Sequence, residues 1–170
     1  TGFGSIFVNG IEFETDGASR DVDDRADISN GRDDDKVLDI GLVVTIFGTV
    51  NDDGVTGTAE RIIYDDEVEG PIAADPVPVP GKDGNTKTFK IFDTTLIFDR
   101  NSSVFADTNY DSLARDDLLE VSGYFDGSGN LHATRVEWED VLDLGKSEVE
   151  LRGDVKGFDG NVTFTLNGVT

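Results

Sequence analysis

The chain has 170 residues, enough for one domain or two small ones, and carries 36 acidic against 14 basic side chains for a net charge of −22. A surface this negative repels phosphate backbones and anionic headgroups, which argues against nucleic acid and membrane surfaces as partners. Cysteine is absent, which rules out disulfides and thiolate chemistry, and with His132 as the single histidine a transition-metal site or a His-based triad is nearly excluded.

Hydrophobic residues make up 36% of the chain, in short stretches rich in Val, Ile and Phe, and no run approaches the ~18 residues of a membrane-crossing helix. With Thr1 first and no Met anywhere, the chain reads as a processed or trimmed product. Of the acids 26 are Asp and 10 are Glu, a bias toward turns, because Asp hydrogen-bonds its own backbone there and is a poor helix former.

In chain order, Ile6-Phe7-Val8 and Ile11-Glu12-Phe13-Glu14 alternate at period two and predict strands with one buried face. An acidic cluster follows, with eight Asp between Asp16 and Asp35. Calcium takes six to eight oxygen ligands at ~2.3 to 2.6 Å, and Asp23, Asp24, Asp27, Asn30, Asp33 and Asp35 supply suitable groups for a calcium loop. The ordered spacing of a helix–loop–helix calcium motif is absent, and Arg20, Arg25, Arg32 and Lys36 would compete by pairing with the acids, so a solvated loop is the competing reading. No other cofactor is implied. Paired carboxylates are unavoidable among so many acids and give no reason to expect catalysis, so the chain reads as a non-enzyme.

Further along, Val44 to Val50 and Ala59 to Asp66 are predicted strands joined by the turn Asn51-Asp52-Asp53-Gly54. All four prolines lie between Pro71 and Pro80; the segment from Ile72 to Asn85 is predicted to be an enlarged hairpin loop, with an interdomain linker as the alternative. Tyr110 to Arg115 carries the one helical hint. Leu119 to Phe125 and Ala133 to Asp140 form a second predicted hairpin about the turn Asp126 to Asn130, and Glu148 to Val155 with Val162 to Leu166 predict two last strands.

These elements repeat. Val44 to Val50 matches Leu119 to Phe125 at an offset of 75, Ala59 to Asp66 matches Ala133 to Asp140 at 74, and Ile6 to Ile11 matches Phe164 to Val169 at 158. Gly48 is thereby set on Gly123 and Tyr64 on Trp138. The expected organisation is a repeat unit over 1–66 whose first strand is missing, a second over 67–147, and the start of a third over 148–170. An open sheet edge at one end and an orphan hairpin at the other would be complementary. Val149, Leu151, Val155, Phe164 and Leu166 are the residues expected to fill a neighbour's core by strand donation, giving a head-to-tail filament if the rotation does not close.

The strings Gly4 to Thr15, Gly41 to Gly54 and Tyr64 to Ile72 resemble a bacterial repeat family of unknown function, the DUF5666 domain, over nearly the whole chain. The resemblance implies secreted or surface-anchored β-rich modules with no catalytic residues to carry over. The Asp-rich stretch departs from the shorter, more apolar segment usual there. Five short strands, a Gly-marked hairpin and a helical turn also fit a small barrel of the OB type. The expectation is therefore an all-β chain of two tandem OB-like barrels, with β-sandwich units as the alternative. Its expected role is an extracellular or cell-surface structural module whose partner is a second copy of itself or neighbouring repeats of a longer chain; the alternative is a module that binds saccharide or peptide.

Overall fold

The computed structural model describes residues 4–22, 38–151, 155–156 and 165–166. Two compact units divide the chain, Thr1–Asp65 and Asp66–Thr170, and among the described residues every regular element is a strand.

In the first unit, β1 (Ser5–Val8) and β2 (Ile11–Glu14) form a two-residue hairpin, and both turn residues, Asn9 and Gly10, have positive φ, 52° and 85°. Asn and Gly tolerate that conformation, and the twist of such a turn matches that of the strands. Next come β3 (Ser19–Val22), β4 (Val44–Val50) and β5 (Thr56–Tyr64). β4 runs antiparallel to β5 along one edge, while β2 and then β3 run parallel to it along the other. One long strand thus serves two short ones in succession. Phe13, Ala18, Ala59 and Ile62 form the buried core, with Ile6, Val8, Val44 and Ile46 half-buried around it.

The second unit contains β6 (Val68–Pro71), β7 (Val77–Pro78), β8 (Thr86–Ile91), β9 (Thr94–Asp99), β10 (Val104–Ala106), β11 (Asp117–Phe125), β12 (Leu131–Val141) and β13 (Glu150–Leu151). Their sheet runs β13-β6-β11-β12-β9-β8-β7, with β10 also on β12; β14 (Val155–Lys156) and β15 (Thr165–Leu166) pair separately. The proline segment folds back through β7, where Val77 opposes Thr88, and Ala73 N donates to Lys90 O at 2.8 Å.

The two units share one plan. β11 and β12 pair as β4 and β5 do; β9 and then β10 run parallel along the far edge of β12 as β2 and β3 do along β5. Both hairpins carry a bulge at the same place, with Gly48 opposite Ala59 and Gly123 opposite Ala133. A Cβ on Gly48 would lie 2.1 Å from Thr58 O, and one on Gly123 2.3 Å from His132 O, so the bulge brings backbones too close for any side chain.

Two expectations are corrected. The segment Tyr110 to Arg115 is a run of turns, because the Asn109 carboxamide accepts from the backbone of Asp111 and Ser112 and the Asp117 carboxylate accepts from Ala114 N, offering the backbone partners other than a helix. Tyr110 and Leu113 are thereby directed into the core, where Lys87 and Arg100 lie 4.3 and 4.1 Å from the Tyr110 ring centroid. Neither sheet closes into a barrel among the described residues. In the first unit no described strand lies between β4 and β1. In the second, β6 ends at Pro71, which lacks an N–H to continue a ladder, and only the bridge Ile72 to Ile91 joins that side to β8.

Candidate functional site

The difference between the two cores locates the first candidate. Phe89, Ile91, Leu119 and Val121 of the second unit are 5%, 0%, 0% and 0% exposed. Their counterparts in the first unit, Ile6, Val8, Val44 and Ile46, are only half-buried. What covers the second unit is β6: it pairs antiparallel with the outer edge of β11, and Val68 and the following Ile72 are fully buried. The outer edge of β4 pairs with no described strand. Beside it lies a groove of about 500 Å³, lined by Ile6, Phe7, Val8, Leu38, Leu42 and Val44, with Phe7 59% exposed. An edge without a described neighbour, flanking an apolar groove, is a template for an added strand.

The residues expected to fill a neighbour are placed as follows. Leu151 opposes Val68 in the β13–β6 pair and packs against the second unit's own core, while Val149 is exposed. Val155 opposes Leu166 in the β14–β15 pair. Phe164 lies outside the described residues, as do Asp23, Asp24, Asp27, Asn30, Asp33 and Asp35 of the expected calcium loop. Among the described residues, no group of three or more His, Asp or Glu side chains is placed to hold a metal ion.

The register brings together a set of carboxylates that sequence spacing did not reveal. Glu150 opposes Glu69, Glu69 opposes Glu120, and Glu120 opposes Glu137, a row across β13, β6, β11 and β12. Directly opposed like charges on a sheet repel. Burial, reinforced by the charges of Glu120, Glu139, Glu148 and Glu150, pushes the Glu69 carboxyl up to about 7. Glu139 is likewise raised, by burial and then by Glu120, Glu137 and Asp107. At the far end the buried Arg135 binds Glu137 at 2.9 Å.

A second feature also required the register. Tyr124 and His132 oppose one another and stack, with ring centroids 5.3 Å apart and planes 8° apart. Aligning the repeats would have exposed the contrast, because Thr49 and Thr58 hold the corresponding opposed positions in the first unit. Trp138, matched to the buried Tyr64, is half-buried against the core and donates from Nε1 to Asp117 Oδ1 at 3.3 Å.

Duplicated, bulge-marked hairpins served by paired short strands define a tandem-repeat all-β protein. The chain belongs to the family described as Domain of unknown function (DUF5666), whose profile matches residues 1–63 and again 69–137. No curated protein and no solved structure matches the chain.

Proposed function

We propose that the chain is a non-enzymatic structural module, built from OB-like units and working outside the bacterial cell, that assembles head to tail by strand complementation. The carrying observation is the pair of unequal cores: four apolar positions that β6 seals in the second unit stand half-open in the first. The occupant is a strand of the β6 type from a second copy, Glu148 to Val155, because Glu148-Val149-Glu150 repeats Glu67-Val68-Glu69; to be donated, Glu150 and Leu151 leave their pairing with Glu69 and Val68 in their own unit. Gly70 is crowded by Ile91 and Phe92, whereas Val8 and Asn9 stand at those positions in the first unit and leave more room for Leu151, the counterpart of Gly70.

The OB-like reading is supported by pairing order. In the second unit the order is β6-β11-β12-β9-β8, with the Ile72 to Ile91 bridge linking β8 to β6, and β9 runs parallel to β12. A partly open five-stranded Greek-key barrel has such an arrangement. The strongly acidic, solubilising surface suits an extracellular setting.

Sedimentation tests the proposal. The full chain should form species that lengthen with concentration, and a variant ending at Lys146 should be a single small species that takes up one equivalent of a synthetic Ser147-to-Lys156 peptide. Equal assembly of the truncated and full chains would overturn it, as would a full chain that remains monomeric at about 100 μM, roughly a hundredfold above a micromolar dissociation constant.

A further inference from the structure

The second unit holds a groove of about 360 Å³ where β12 changes partners. β9 pairs with β12 as far as His132, and β10 takes over at Arg135. Ser103 Oγ donates to Ala133 O at 2.7 Å within that gap. The volume lies within the ~300 to 1,000 Å³ of small-molecule sites.

The Tyr124–His132 stack lines one side, and Tyr124 is 58% exposed. The stack is held in place. His132 Nε2 lies 3.1 Å from Asp126 Oδ2, and Asp126 accepts from the backbone of Ser128 and Asn130 and from Asn130 Nδ2. Those turn contacts hold the Asp126 carboxyl well below the usual range. Asp99 also lines the groove; its carboxylate accepts from Thr86 Oγ1 and Asn101 N, both at 2.9 Å, which keeps it ionised. The exposed Lys82 ammonium has no ion pair among the described residues.

The first unit provides an internal control. It folds the same hairpin, with the same bulge and the same glycine, around Thr49 and Thr58. In its turn Asn51 Nδ2 donates to Thr56 Oγ1 and no ring is involved. The hairpin therefore needs no aromatic pair at these positions. An exposed, immobilised aromatic face presents a negative ring surface to the weakly positive C–H bonds of a ligand at little entropic cost. A carboxylate and an ammonium lining the same groove, those of Asp99 and Lys82, supply an acceptor and a donor for hydroxyl groups. Apolar C–H faces bordered by hydroxyls characterise a sugar ring, and the net charge of −22 disfavours phosphate-bearing alternatives.

We propose that this groove binds a saccharide, with one pyranose ring laid on the Tyr124–His132 stack and its hydroxyls reaching Asp99 and Lys82. Cellotetraose, maltotetraose, xylotetraose and chitotetraose would each be titrated into the full ¹⁵N-labelled chain and followed by amide shifts. At least one should move Tyr124, His132, Lys82 and Asp99 together. Tyr124→Thr, which installs the residue the first unit carries there, should weaken that binding by about tenfold or more, the size of one lost well-made contact, while leaving the remaining amide spectrum in place. The absence of groove shifts with all four sugars at about 10 mM, an affinity of about −3 kcal/mol or weaker, would overturn the proposal. Undiminished binding by Tyr124→Thr would do the same. Lys90→Gln, outside the groove, should bind as the native chain does, and a loss there would also count against the assignment.

Discussion

Replacing Glu69 by Gln should make the second unit more stable at neutral pH and remove part of its pH dependence. The Glu69 carboxyl is pushed up to about 7 from 4.5 by burial and by the carboxylates around it. A carboxyl raised in the folded state is protonated there while the unfolded chain has released its proton. The contribution of Glu69 to stability is therefore fully present below pH 4.5 and is lost as pH rises through 7. The shift corresponds to ~3 kcal/mol at ~1.4 kcal/mol per unit, and because the side chain is half-buried, water screens it to about 1 to 2 kcal/mol. Urea denaturation at pH 5 and pH 8 measures the effect, with the native chain losing about 1 to 2 kcal/mol between them and Glu69→Gln losing correspondingly less. Identical losses in the two proteins would mean that the row from Glu150 to Glu137 does not act on Glu69 as its register implies.

Gly123→Ala should cost ~2 kcal/mol or more in chemical denaturation, because the added Cβ meets the His132 carbonyl and backbone cannot yield as a side-chain tip can. Gly48→Ala should weaken the first unit similarly against Thr58 O, and a neutral result at either position would contradict the shared bulge. Trp138→Ala should cost about 2 to 3 kcal/mol, below the ~3 to 5 of a fully buried aromatic, since the ring only borders the core. Asn9→Ala should lose about 1 kcal/mol from the β1–β2 turn, where a non-glycine residue sits at φ 52°, and Asn9→Gly should recover most of it in the same melt.

The repeat and the all-β character were legible because alternation at period two survives in one sequence; Gly48 was matched to Gly123 there, but the bulge that both occupy emerged only from the strand register. Tyr110 to Arg115 misled because its apolar spacing suits a helix, while Asn109 and Asp117, which divert its backbone, act from outside the segment. Closure could not be read locally. Whether Ile72 reaches Ile91 depends on the path of a proline-rich connection, and which described strands pair with β4 follows from register, which composition does not encode. The glutamate row and the Tyr124–His132 stack needed the cross-strand register. Each member occupies an ordinary position in its own strand, and only the opposed pairs make them neighbours.

The partner change along β5 and β12 also dictates an order of events. The hairpins β4–β5, β8–β9 and β11–β12 join residues close in sequence, so their loops close early. The parallel contacts come from far along the chain, as where Glu12 meets Thr56, Ser19 meets Arg61 and Val104 meets Arg135. Distant pairings are slow because chain entropy is lost before contacts repay it. During refolding the long strands therefore stand for a time with one side zipped and the other bare. That interval exposes the chain to mispairing with other newly unfolded copies, and diluting the protein during refolding should raise the yield of the native form.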